Sequence, residues 1–147
     1  METLAGDSTI AHGTAYARIL ETLGRAHEPA RAQVLRGVAL ELERLANHVG
    51  DLGALSGDVG YLPTASFCGR LRGDFLNMTA ALCGSRFGRG LVRPGGVAFD
   101  LAPDRAVQLL ERLDDAEKDL RVAVPLLWET SSVMARSSQD VRSQDFG

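Results

Sequence analysis

Three histidines and two cysteines are the residues of this 147-residue chain best suited to metal or nucleophilic chemistry. His12, His27 and His48 lie far apart, and none stands at the carboxylate or thiol spacing that a divalent ion needs. Cys68 and Cys83 form no CxxC pair and have no flanking histidine at ligand spacing. They read as buried thiols in a reducing cytoplasm, with a disulfide as the alternative. His48 and Asp51 fall one helical turn apart, which fits an ordinary hydrogen bond better than a metal site. Asp145-Phe146-Gly147 spells a metal-binding triplet of protein kinases, yet no Gly-rich loop, catalytic loop or strand lysine accompanies it. Asn77-Met78-Thr79 matches a glycosylation acceptor, but within a predicted helix and without a secretory signal. No phosphate-cradling or dinucleotide glycine motif follows a strand. Spacing alone therefore predicts a helical domain with no visible catalytic residues and no metal site.

Composition narrows the class. Apolar residues make up 45% and aromatics only 5%, so the core must be built from Leu, Val and Ala, which suits helix-on-helix packing. A net charge of −3 gives no electrostatic case for nucleic acid or an anionic membrane. No apolar run approaches the roughly 20 residues of a transmembrane helix, and no signal peptide is expected.

The element that must position everything else runs from Pro29 to about Ser56. Leu35, Val38, Leu42, Leu45, Val49 and Leu52 recur at spacings of three and four, the pattern of one helical face. Arg36, Glu41, Glu43, Arg44 and His48 are expected mostly away from it. Pro29 suits the first turn, and Gly50, Gly53, Gly57 and Gly60 predict close packing, then fraying. Before it, Asp7, Ser8 and Thr9 offer capping oxygens, and Ile10, Ala15, Tyr16, Ile19, Leu20 and Leu23 form a stripe ending at Gly24. After it, Cys68, Leu71, Phe75, Met78 and Leu82 predict a third, antiparallel helix to Gly84. Arg93-Pro94-Gly95-Gly96 is type II turn chemistry and predicts a small hairpin. Pro103 opens a fourth helix with Asp104 in its first turn. Its inward face is read as Ala106, Leu109, Leu110, Leu113, Leu120 and Leu127, its acidic side as Glu111, Asp114, Asp115, Glu117 and Asp119. Pro125 should kink or end it. The expected fold is mainly α, an antiparallel long-helix bundle with a small β-hairpin between the third and fourth helices. Residues 1–128 form the core and 129–147 a polar tail, expected to be poorly ordered.

Taken together, LELERLANHVGDLGAL and GRLRGDFLNMTAALCGSRFGRGLVRPGGVAFDL, with AHGTAYARILE before them, resemble the large subunit of energy-converting nickel–iron hydrogenases of the formate-hydrogenlyase type. They are also similar to the quinone-facing subunit of respiratory complex I. The resemblance runs from about Leu4 to about Leu127 and covers the central part of a longer family protein. It implies an oxidoreductase parent that passes electrons between a reduced donor and a quinone or protons. NADH, quinone and iron–sulfur clusters would be used through other subunits, with no cofactor held by this chain itself. It further implies an iron–sulfur partner subunit and a peripheral place on the cytoplasmic side of a membrane.

The family's hydrogenases hold nickel and iron through two CxxC motifs, and the resemblance places the first at Ala5 and Ser8, four residues before a histidine matching His12. Neither residue is a thiol, so a lost metal centre and a catalytically silent chain are implied. A quinone-binding tyrosine of the complex I protein matches Gly6, and a cluster-side histidine falls near Gly88. Asp7, Ser8 and His12 would line the former metal or quinone cavity, and Arg93 would face the electron-transfer partner. The alternative is a non-enzymatic helical scaffold that binds partner subunits. Exposed apolar surface would make a homo-oligomer possible.

Overall fold

In a computed structural model the described residues are 1–129 together with Val133 and Ala135, excepting the Leu127 side chain. Among the described residues there are four helices, α1 (Thr9–Gly24), α2 (Ala30–Asp58), α3 (Leu62–Cys83) and α4 (Pro103–Glu129), and a hairpin of β1 (Val92–Arg93) and β2 (Gly96–Val97) that lies between α3 and α4 in sequence and packs on α1 and α2. The expected Leu127 contact, the 129–147 tail and the Asp145–Gly147 triplet lie outside the described residues, apart from Glu129, Val133 and Ala135.

Successive helices run antiparallel, with short links on either side of α2. Ile10 on α1 meets Glu43 on α2, and Glu21 meets Arg36. A Cβ on Gly53 would sit 3.1 Å from that of Cys68, and one on Gly50 3.0 Å from Arg72. The two glycines thus let α2 and α3 approach closely, and α2 continues unbroken to Asp58 where fraying was expected. Arg70 reaches Asp119, and Arg105 reaches the Ala81 carbonyl, joining α3 to α4.

The main core is Leu42, Ala46 and Val49 of α2, Cys68, Leu71, Phe75, Leu76 and Met78 of α3, and Leu109 and Ala116 of α4. Every apolar position of the α3 stripe is buried, and Leu35, Leu42 and Val49 of the α2 stripe are too. A second cluster joins Ile10, Leu35, Ala39, Leu82, Cys83 and Leu91 beneath the hairpin. Gly84 ends α3 with φ of 76°, and Gly95 has φ of 85°, as the second central residue of a type II turn demands.

Several expected faces are corrected. On α1, Ala15, Tyr16, Ile19, Leu20 and Leu23 are exposed, while Thr9, Ile10, Thr14, Ala17 and Glu21 face inward. Polar anchors at both ends of α1 set its rotation, and they override the apolar stripe. Arg36, expected outward, is only 3% exposed, because carboxylates and carbonyl oxygens surround it. Glu43 likewise turns inward and is half-buried. Val38 and Leu110 are exposed, because α4 packs on α3 and leaves an open groove of about 450 Å³ against α2. Asp119, read as part of the solvated acidic side, is half-buried against Arg70. The first helix ends at Gly24, as expected, and Arg25 supplies the left-handed residue after it, with φ of 49°. Pro29 precedes the first helical residue of α2 as its N-cap. The fourth helix runs through Pro125 to Glu129, so that proline does not terminate it.

Candidate functional site

The segment from Asp7 to His12 begins α1, and it is held by α2 rather than by its own caps. Ser8 occupies the N-cap position but its side chain makes no capping bond; its Oγ donates to Asp7 Oδ1 at 2.9 Å. The N–H groups of Ile10 and Ala11 donate instead to Glu43 Oε2 (2.6 Å) and Oε1 (3.0 Å). A carboxylate there satisfies two orphan donors and faces the positive end of the helix dipole. Burial pushes the Glu43 carboxyl above its usual range, reinforced by the nearby Asp7 charge and opposed by the two N–H groups and His12. Asn47, one turn further along α2, donates to the Asp7 carbonyl at 2.9 Å, and His12 Nδ1 lies 2.8 Å from the Ser8 carbonyl oxygen.

Three of the four sequence candidates, Asp7, Ser8 and His12, are thus brought together. Arg93 is not among them. It sits on the hairpin against the far half of α1, where Glu21 lies eleven residues and about 16 Å beyond Ile10 along the helix. Its side chain is exposed, and its carbonyl accepts from Arg36.

That carbonyl belongs to a second cluster which the sequence did not reveal. The Arg36 guanidinium donates to Glu21 Oε1 (2.7 Å) and Oε2 (3.3 Å), to the Arg93 carbonyl (2.7 Å) and to the Gly96 carbonyl (2.9 Å). Its Nε also lies 2.8 Å from Glu28 Oε1, close enough for a strong charge contact though not aligned as a hydrogen bond. Glu21 Oε1 in turn accepts the Gly95 N–H at 2.7 Å. These bonds hold the Glu21 carboxyl below its usual range, led by Arg36 and then by Gly95. Carboxylates at 21 and 28 around a central arginine were the available signal, but helical periodicity put Arg36 toward solvent.

The donor set at the amino-terminal end does not fit a nickel–iron centre. Soft metals need thiolates, and the positions implied for them are Ala5 and Ser8. Cys68 and Cys83 are buried within the helix packing, and burial raises both thiols. No group of three or more potential ligands lies together among the described residues. The void beneath Asp7, lined also by Glu43, Asn47, Thr79, Arg86 and Phe87, measures about 10 Å³. That is room for one water molecule and not for a quinone ring. His48 and Asp51 are both exposed, with no bond between them among the described residues. No described helix is long and apolar enough to cross a membrane.

A family model described as "Respiratory-chain NADH dehydrogenase, 49 Kd subunit" matches residues 58–142. The chain is similar to the D subunit of NADH-quinone oxidoreductase from Thermosipho melanesiensis, at 38% identity over 71% of this chain and 29% of that protein. It is similar to the same protein of Campylobacter curvus at 30% identity, over 83% of this chain and 30% of that protein. For the counterpart in Magnetococcus marinus the identity is 39%, over 58% and 21% respectively. The chain therefore spans less than a third of the length of these relatives. With more than half of its residues matched, the chain belongs to the respiratory-chain NADH dehydrogenase 49 kDa subunit family.

Proposed function

We propose that this chain is the helical core of a hydrogenase-like, complex I-like large subunit in a membrane-associated electron-transfer complex, and that it is catalytically silent by itself. The observation that carries this reading is the retained family core combined with Ala5 and Ser8 at the positions implied for thiolates. The parent passes electrons from a reduced donor, NADH through other subunits, to a quinone or protons. An iron–sulfur partner docks at the side that includes the Arg93 hairpin, and the complex lies on the cytoplasmic face of the membrane. Asp7, Ser8 and His12 keep the position of the former cavity wall. Glu43 now ties that wall to α2, so the wall supports shape rather than chemistry. The formate-hydrogenlyase branch rests on the resemblance carried by ERLANHVGDLGAL and RPGGV.

A second reading, a scaffold that only binds partner subunits, is favoured by the apolar residues left uncovered on α1. Ile19 and Leu23 are 59% and 77% exposed. Quinone binding by the native protein isolated with its partners, followed by redox titration, separates the two. A quinone that binds and titrates supports the electron-transfer reading. A complex that assembles through this chain with no quinone affinity and no redox-active group supports the scaffold.

A further inference from the structure

The Arg93–Gly96 turn is too short to hold its own place. Its two strands have two residues each, paired Val92 to Val97 and Arg93 to Gly96, and a ladder of that length is not stable alone. Its base is anchored by apolar burial: Leu91 is fully buried in the second cluster, and the Ala98 N–H donates to the Leu91 carbonyl at 2.8 Å. Its tip has no such anchor, since Arg93, Pro94 and Gly95 are exposed. The tip is instead held by main-chain bonds to one charge cluster. The Arg93 and Gly96 carbonyls accept from Arg36, and the Gly95 N–H donates to Glu21.

We propose that the Arg36–Glu21–Glu28 cluster is a latch for the Arg93–Gly96 turn, which opens as a unit while the α2–α3–α4 core stays folded. The cluster joins three separate segments: Glu21 comes from α1, Glu28 from the link to α2, and Arg36 from α2. The arginine is buried and the carboxylates nearly so, and together the three carry a net charge of −1. A buried charge left without its partner is costly, so loss of one member weakens the whole set at once. The main core shares no residue with the cluster: its members lie on the other side of α2 and on α3 and α4. The latch and the core can thus yield separately, as locally cooperative units do.

Other charges around Glu21 do not replace Arg36. Arg18 lies on the same helix and favours the ionised carboxylate only weakly. Arg25 and His27 line the open hollow above, about 450 Å³ in volume, and are exposed. Arg93 contributes only its main chain.

The test is amide hydrogen exchange by NMR on the 147-residue chain, comparing wild type with Glu21→Gln and Arg36→Lys. Each variant keeps the approximate size of the side chain while removing a charge or the guanidinium fork. The expected result is a loss of Gly95 amide protection of about tenfold or more, because a charge-assisted bond is lost. The amides of Phe75 and Met78 in α3 and of Ala98 at the hairpin base should change less than about threefold, within the range of an undisturbed core. Equal acceleration at Gly95 and in α3 would show one cooperative unit and overturn the latch. Unchanged Gly95 protection in both variants would overturn it as well.

Discussion

Substituting alanine for Gly88 probes the packing between the loop after α3 and the start of α1. Gly88 is buried with φ of 69°, and a Cβ there would lie 2.1 Å from Ile10 Cδ1 and 2.7 Å from Ile10 Cγ1. The left-handed backbone costs an alanine about 1–2 kcal/mol. Overpacking against Ile10 adds about 1–3 kcal/mol. Ile10 cannot swing clear, being 1% exposed among Leu35, Ala39, Leu82, Cys83 and Leu91. The sum is a destabilisation of about 2–5 kcal/mol, read as a lower urea midpoint at unchanged slope. In an Ile10→Ala background the collision is gone and only the left-handed strain remains, so the Gly88→Ala cost should fall to about 1–2 kcal/mol. A cost below about 0.5 kcal/mol in the wild-type background, or the same cost in both backgrounds, would refute the collision. The same geometry bears on the histidine that the family resemblance places near Gly88, because an imidazole there requires Ile10 to move.

Leu42→Ala should cost about 2–5 kcal/mol, since Leu42 is 3% exposed in the main core, whereas Leu110→Ala, at a site 61% exposed, should stay within about 0.5 kcal/mol. Comparable losses at the two sites in urea titrations would mean the groove is closed. For Glu43, whose folded carboxyl holds its proton more tightly than the unfolded one, the stability contribution is full below the ordinary carboxylate range and is lost as pH rises through its raised folded value. Wild type should therefore lose stability relative to Glu43→Gln over that rise; an opposite slope in thermal melts would show that the two N–H bonds outweigh burial. Glu21 is the reverse case: its stabilisation is present above the ordinary range and lost as pH falls through its lowered folded value. Wild type and Glu21→Gln should then converge in acid, and a gap that widened instead would put the cause outside the Arg36 contact.

The bundle was legible because α2 and α3 solve one packing problem in both sequence and space. Leu71, Phe75 and Met78 at helical spacing had only one surface to cover, and the glycines at 50 and 53 allowed the approach. The turn at residues 93–96 was legible for a local reason, since proline followed by glycine dictates its backbone. The rotation of α1 was not legible. Its apolar stripe points one way, but two long-range polar contacts, Glu43 to the helix start and Arg36 to Glu21, hold it the other way. Such contacts join residues 33 and 15 positions apart and leave no periodic trace. The uncovered stripe is also the kind of surface that another part of an assembly would bury. At the candidate site, the grouping of Asp7, Ser8 and His12 followed from their place at one helix end. Their anchoring by Glu43 and Asn47 depended on tertiary approach, as did the separation of Arg93.

Nickel and iron content of the native protein, isolated with any subunits that accompany it, tests the proposed loss of a metal centre most directly. Ala5 and Ser8 at the positions the resemblance implies for thiolates predict that no nickel accompanies the chain, and that iron, where present, travels with the proposed iron–sulfur partner. One nickel per chain retained through purification, with a thiolate-bound spectrum, would contradict it.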